Sequence, residues 1–177
     1  GAFCRRYPDI DIELEIANRE KIIERLRNNQ DDIYVMSYPP DNLDIVRLPF
    51  LDNEYVVVAP NTHWAVGKRV SIKDLAGEAF ILRELGSGSR HIIDQYMQTT
   101  GTQPKVRLEL ASNEAIRDLV ASGMGLSVLS RHALGNDFER SGLATLEVEG
   151  FPLKQAWNVV HLSSKILSLP AQAFLDE

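Results

Sequence analysis

The chain has 177 residues, 44% of them apolar, and a formal net charge of −6, which together place it among soluble α/β proteins of one large or two small domains. The acidic balance argues against nucleic-acid binding by this segment, since phosphate neutralisation needs a surplus of Lys and Arg on some face, and Arg5 with Arg6 is too few. A single cysteine, Cys4, excludes an internal disulfide framework and a thiolate zinc site and points to the cytoplasm, and no apolar run approaches the roughly 20 residues that span a bilayer.

Phe3-Cys4-Arg5-Arg6-Tyr7 reads as the tail of a helix halted by Pro8, and without an initiator Met the chain reads as a piece of a longer protein. Ile10, Ile12, Leu14 and Ile16 alternate with Asp9, Asp11, Glu13 and Glu15, the period of a strand with one buried face. Asn18 offers an N-cap to a helix whose apolar stripe is Ile22, Ile23 and Leu26 and which ends at Asn28-Asn29. Ile33-Tyr34-Val35-Met36 reads as a short strand of the kind buried in parallel sheets, followed by the turn Pro39-Pro40-Asp41-Asn42, so these three elements make a βαβ unit. Two further strands are predicted over residues 43–48 and 55–59, separated by Pro49 and the polar Asp52-Asn53-Glu54.

After Pro60 comes an irregular stretch with His63 and Trp64, a short predicted helix over 71–75, and the strand Phe80-Ile81-Leu82. That strand leads into Gly86-Ser87-Gly88-Ser89-Arg90 and a helical pattern from about His91, with Ile92, Ile93, Tyr96 and Met97 on its apolar face and Gly101 at its end. A Gly/Ser turn that opens a helix leaves backbone N–H groups beside the positive end of the helix dipole, where a carboxylate or phosphate is a natural guest. The turn lacks the Gly-Lys-Ser/Thr ending of a nucleotide-binding loop, and an ordinary turn has the same composition.

Val106, Leu108 and Leu110 then alternate with Arg107 and Glu109. Ser112 or Asn113 caps a helix carrying Ile116, Leu119 and Val120, and Gly123 closes it before a strand over 126–129, a second βαβ unit. A helix over 131–138, strands over 143–148 and 156–162, and a terminal helix after Pro170 complete the expectation. Two βαβ centres joined by extended segments predict an α/β protein of two lobes with a ligand cleft, its ligand at strand-to-helix junctions.

In order along the chain, Phe3-Cys4-Arg5-Arg6-Tyr7-Pro8-Asp9-Ile10, Asp31-Asp32-Ile33-Tyr34-Val35, Pro39-Pro40, Val56-Val57-Val58-Ala59-Pro60 with His63, Gly86-Ser87-Gly88-Ser89-Arg90 and Ser122-Gly123-Met124-Gly125-Leu126 resemble the effector-binding domain of LysR-type transcriptional regulators. The wording of the first half looks closest to cyanobacterial members that govern inorganic-carbon uptake. The resemblance implies a periplasmic-binding-protein-like fold, with residues 1–58 plus 161–177 as the first lobe and 59–160 as the second. It implies a small anionic metabolite of sugar bisphosphate, phosphoglycolate or 2-oxoglutarate type held between the lobes. It also implies a homodimer or higher homo-oligomer, pairing the 18–28 helix with the 113–122 helix of another subunit, and control of carbon-uptake or carbon-fixation genes. The family also carries a DNA-binding helix-turn-helix and a first effector-domain strand; neither is in this sequence, so DNA would be met only through an absent N-terminal domain.

The candidate effector contacts are Ser87, Gly88 and Ser89 through backbone and hydroxyls, Arg83 and Arg90 as charge partners, Asn18 and Asn113 at helix starts, and Tyr38 on the facing turn. Each has a plainer reading. Asn18 and Asn113 are explained by capping alone, Arg83 and Arg90 by ion pairs, with Glu84 adjacent, Tyr38 by packing on Pro39, and the 18–28 helix by solvation of an amphipathic surface. Catalysis is not expected, nor is a cofactor or metal. His63, His91, His132 and His161 lack metal-ligand spacing, and Ser87 and Ser89 do not sit in Gly-x-Ser-x-Gly. The alternative is the solute-binding protein of a transporter, which shares the two-lobed fold.

Overall fold

The computed structural model describes residues 1–135 and 137–176. In chain order the elements are α1 (Ala2–Arg6), α2 (Arg19–Arg27), β1 (Tyr34–Met36), β2 (Ile45–Pro60), β3 (Arg69–Val70), β4 (Ala79–Arg83), α3 (Gly88–Thr100), β5 (Lys105–Leu110), α4 (Asn113–Ala121), β6 (Ser127–Ser130), β7 (Leu143–Val148), β8 (Leu153–Leu162) and α5 (Leu169–Leu175). The chain divides into two compact units, Gly1–Phe50 with Trp157–Glu177, and Leu51–Ala156. The expected partition at 58/59 falls inside β2, whose Val56 and Val58 belong to the core of the second unit; the return crossing lies inside β8.

In the first unit β1 runs antiparallel to β8, with Tyr34 opposite Val160 and Met36 opposite Asn158. Leu26 of α2 packs with Tyr34, Met36 and Val160, and Ile22, Leu43, Ile45 and Leu162 close that core. The Tyr34 hydroxyl donates to the Arg25 carbonyl at 3.0 Å and accepts from the Asp31 amide at 2.9 Å, and Arg25 Nε donates to Asp31 at 2.8 Å, so one polar knot fixes the α2–β1 turn. Lys165 ties the same turn to the segment after β8, donating to the Asp31 carbonyl at 2.7 Å. Phe3 of α1 is buried edge-on against Phe174 of α5, ring centroids 5.2 Å apart.

The alternating segment 10–16 is not a strand. It has no ladder partner among the described residues, and Ile12, Leu14 and Ile16 are 50%, 80% and 84% exposed. Alternation states which face a strand would bury, but a strand forms only where a neighbour satisfies its backbone groups. The first βαβ unit is therefore not completed, and β1, expected as a buried parallel strand, is antiparallel with Val35 half exposed.

In the second unit the last third of β2 is flanked by β6 and β7, both antiparallel to it, and β3 extends the sheet in parallel beyond β7. On the other side β4 pairs with β5 in parallel, and hydrogen bonds from the Ile81 amide to the Leu126 carbonyl and from the Leu126 amide to the Ala79 carbonyl, each 2.8 Å, bring β4 beside the start of β6. The β4–α3–β5–α4–β6 run is the expected second α/β centre. Its core joins Val56, Val58, Ile81, Ile116, Val120, Leu129, Leu134 and Leu143. Gly125 is required at the β4–β6 contact, where an added Cβ would lie 2.5 Å from the Ala79 carbonyl oxygen.

Other departures are local. The two strands predicted over 43–48 and 55–59 form one 16-residue strand, β2, because Pro49 and Asp52 lie in its exposed stretch, where a missing donor and a polar side chain are tolerated. The helix predicted over 71–75 is a run of turns, in which Asp74 accepts from both the amide and the hydroxyl of Ser71 at 2.8 Å, a local bond that competes with helix formation. The helix predicted over 131–138 is replaced by 3₁₀ turns at Arg131–Ala133 and Phe138–Ser141, and Asn136 lies outside the described residues.

Candidate functional site

The Gly/Ser turn is built by three short-range devices. Gly86 takes φ 87°, a conformation that L side chains avoid, and this ends β4 and turns the chain. Ser87, 3% exposed, is the N-cap of α3: its hydroxyl accepts from the Arg90 amide at 3.1 Å, and its carbonyl accepts from the His91 amide at 3.1 Å. Helix α3 thus begins at Gly88, ahead of the expected His91. The amides of Gly88 and Ser89 have no hydrogen-bond acceptor among the described residues, and the 13-residue helix directs its positive end at them.

Arg90, Arg83 and Asn113 form a frame behind this turn. Arg90 is 11% exposed at its side chain; its Nε reaches Asp94 at 3.0 Å, and its Nη1 reaches Glu109 at 2.8 Å and the Arg83 carbonyl at 3.1 Å. Burial lowers the pKa of the Arg90 guanidinium, but hydrogen bonds to Glu109 and Asp94 outweigh this and leave it raised. Arg83 meets both carboxylate oxygens of Glu84, at 2.8 and 3.2 Å, and donates from Nη1 to Asn113 Oδ1 at 3.0 Å. Asn113 is the first residue of α4. Ser112, the other residue named for that role, is its cap, accepting from the Ala115 amide at 3.2 Å. The Glu114 carboxyl is held below its usual range by its own backbone amide and by the Ser112 hydroxyl.

In the first unit Asn18 caps α2, its side chain accepting from the Lys21 amide at 3.1 Å. Tyr38 lies in the bend after β1, where its carbonyl accepts from Arg19 Nε at 2.8 Å and the Arg19 guanidinium sits 5.2 Å from its ring centroid. Asn18 and Tyr38 are thus linked by Arg19, which the expected site did not contain. A signal for it was present in the sequence: an arginine directly after a helix N-cap places positive charge at the positive end of the dipole, where a helix gains nothing from it.

The candidate residues therefore fall into two groups, Asn18 and Tyr38 with Arg19 in the first unit, and Arg83, Ser87, Gly88, Ser89, Arg90 and Asn113 in the second. No group of His, Cys, Asp and Glu side chains that could hold a metal ion occurs among the described residues, and no described helix is long and apolar enough to cross a membrane. The second group suits an anion, through unpaired amides, a neighbouring hydroxyl on Ser89 and a helix dipole.

A family model described as the LysR substrate binding domain matches residues 1–177. The chain is 44% identical over 177 residues to the HTH-type transcriptional activator CmpR of Synechocystis sp., covering 99% of this chain and 58% of that protein. It is 38% identical over 177 residues to the RuBisCO operon transcriptional regulator of Acidithiobacillus ferrooxidans, covering 99% and 57%. The chain thus spans a little over half the length of these relatives. Among solved structures, the regulatory domain of Synechocystis CcmR in complex with 2-PG (2-phosphoglycolate) superposes with a TM-score of 0.93 at 44% identity, over 99% of this chain and 85% of that one. The effector-binding domain of QuiR in complex with shikimate, at 23% identity and a TM-score of 0.83 over 99% and 84%, shares the fold.

Proposed function

The chain belongs to the LysR substrate-binding-domain family, and from that premise we propose that it is the effector-sensing part of a transcriptional regulator whose ligand is a small phosphorylated or carboxylate anion. The observation that carries the reading is the likeness to the CcmR regulatory domain with 2-phosphoglycolate, at 44% identity across 99% of the chain. The Gly88 and Ser89 amides and the Ser89 hydroxyl, at the positive end of α3, supply the chemistry that such a ligand requires. Arg83 and Arg90, expected as charge partners, act instead as supports: both guanidiniums meet carboxylates, and with Asn113 they hold the turn in place.

The effector shifts the regulator between conformations only by binding one more tightly than the other, and that difference sets how far DNA binding can respond. DNA is met by a part of the regulator outside this chain, in the cytoplasm, and the regulated genes serve carbon uptake or carbon fixation, the latter being what the relatives named as RuBisCO operon regulators suggest. The working form is a dimer or a higher homo-oligomer that pairs α2 of one subunit with α4 of another. The reading as a transporter's solute-binding protein is not favoured, because the relatives at this identity are named as regulators.

Isothermal titration of the full-length regulator with 2-phosphoglycolate, a sugar bisphosphate and 2-oxoglutarate tests the proposal. At least one ligand gives saturable heat at micromolar concentration. No heat with any of them on folded protein overturns it.

A further inference from the structure

We propose that His63 is a proton-operated latch in the second unit, holding the Ala65 amide when its ring is neutral and closing on Glu78 when the ring is charged. In the turn after β2, His63 Nδ1 accepts from the Ala65 amide at 3.2 Å, while Nε2 lies 3.6 Å from Glu78 Oε1, on the bend directly before β4. A ring nitrogen that accepts carries no proton, so the neutral imidazole bears its proton on Nε2. That Nε2–H is sheltered from solvent and has no hydrogen-bond partner, because 3.6 Å is beyond bonding reach. The neutral ring thus leaves a buried donor unused, with a carboxylate just out of range.

The two arrangements exclude each other. A proton added to Nδ1 sets an N–H against the Ala65 N–H, and that amide, in a residue with no exposed surface, has no other acceptor among the described residues. The ring must therefore turn away from Ala65, and the charge it has gained draws Nε2 onto Glu78. The other charged group at the latch is the Lys68 ammonium, which lies over the Trp64 ring, 5.6 Å from its centroid. Trp64 registers the change, since its Nε1 donates to the same Glu78 Oε1 at 2.9 Å and its ring centroid is 5.5 Å from that of His63. The turn is closed by bonds from the Val66 amide to the His63 carbonyl and from the Lys68 amide to the Ala65 carbonyl, both 3.1 Å. Freeing the Ala65 amide therefore loosens the link from β2 to β3.

The test follows tryptophan emission of the full-length regulator between about pH 8 and 5, the range in which histidine changes charge, in wild type, Trp64→Phe, His63→Gln and Glu78→Gln. Wild type is expected to show a reversible step with a one-proton slope that is absent from Trp64→Phe, which assigns it to Trp64. The step is also absent from His63→Gln, whose side-chain amide can meet Ala65 and Glu78 but takes up no proton. Glu78→Gln moves it to lower pH, because the imidazolium loses its carboxylate. A step that persists in His63→Gln overturns the proposal, and so does wild-type emission with no step that Trp64→Phe removes. If His63→Gln does not fold, Glu78→Gln decides alone: a step moved to lower pH supports the latch, and an unmoved step overturns it.

Discussion

Replacing Arg90 with methionine separates a supporting role from a ligand-binding one, because it keeps the apolar stem and removes only the guanidinium. Three partners lose their donor: Asp94 at 3.0 Å, Glu109 at 2.8 Å and the Arg83 carbonyl at 3.1 Å. A hydrogen bond to a charged group is worth about 1.5–3 kcal/mol when both partners are sheltered. The two carboxylates are 45% and 40% exposed and regain water when the cation leaves, so each pair counts for under about 1 kcal/mol. The Arg83 carbonyl adds about 1 kcal/mol, which brings the expected loss to about 2 kcal/mol. Urea unfolding reads it as a lower midpoint at an unchanged slope. A loss below about 0.5 kcal/mol would refute the account of Arg90 as the frame of the turn.

Ser87→Ala removes the α3 cap and is expected to cost about 1 kcal/mol in the same assay, whereas Ser89→Ala, whose hydroxyl makes no bond among the described residues, leaves the midpoint within about 0.5 kcal/mol. Gly125→Ala drives a methyl group against the Ala79 carbonyl oxygen and is expected to destabilise the second unit by at least about 1–3 kcal/mol, read as a lower melting temperature; a wild-type melting temperature contradicts the close approach of β4 and β6. The Asp31 carboxyl is held below its usual range chiefly by its hydrogen bond from Arg25, against the opposing effect of burial. Its stabilisation is therefore complete above the ordinary aspartate value of about 3.9 and is lost as pH falls through the depressed folded value. Asp31→Asn should lower stability at pH 7 by less than about 1 kcal/mol and make the acid limb of the stability profile shallower; an unchanged limb counts against the pair.

What the sequence revealed of the fold was local. Asn18 caps its helix through its own side chain, α3 ends at Gly101, and β7 spans the predicted 143–148, because cap chemistry and strand period are written in adjacent residues, whereas the capping role of Ser87 was not read. The segment 10–16 shows the limit, since its alternation was read correctly as pattern while the ladder partner that makes a strand is a matter of neighbours. Continuity of β2 through Pro49 was hidden for a similar reason: a proline breaks a strand only where its missing donor is needed. The site followed the same division. The Gly/Ser turn was legible, and so was the ion pair of Arg83 with the adjacent Glu84, but Arg90 meets Glu109 from 19 residues away and Arg83 meets the Asn113 side-chain amide from 30, so the frame they build could not be read along the chain. Arg19 carried one local signal, its place directly after the α2 N-cap, but its fixed orientation comes from the Tyr38 carbonyl 19 residues on.

The most direct test of anion sensing is a crystal structure of the full-length regulator with 2-phosphoglycolate. The account predicts a ligand oxygen within about 3.2 Å of the Gly88 or Ser89 amide nitrogen. Ligand bound elsewhere, or no ligand at saturating concentration, would contradict it.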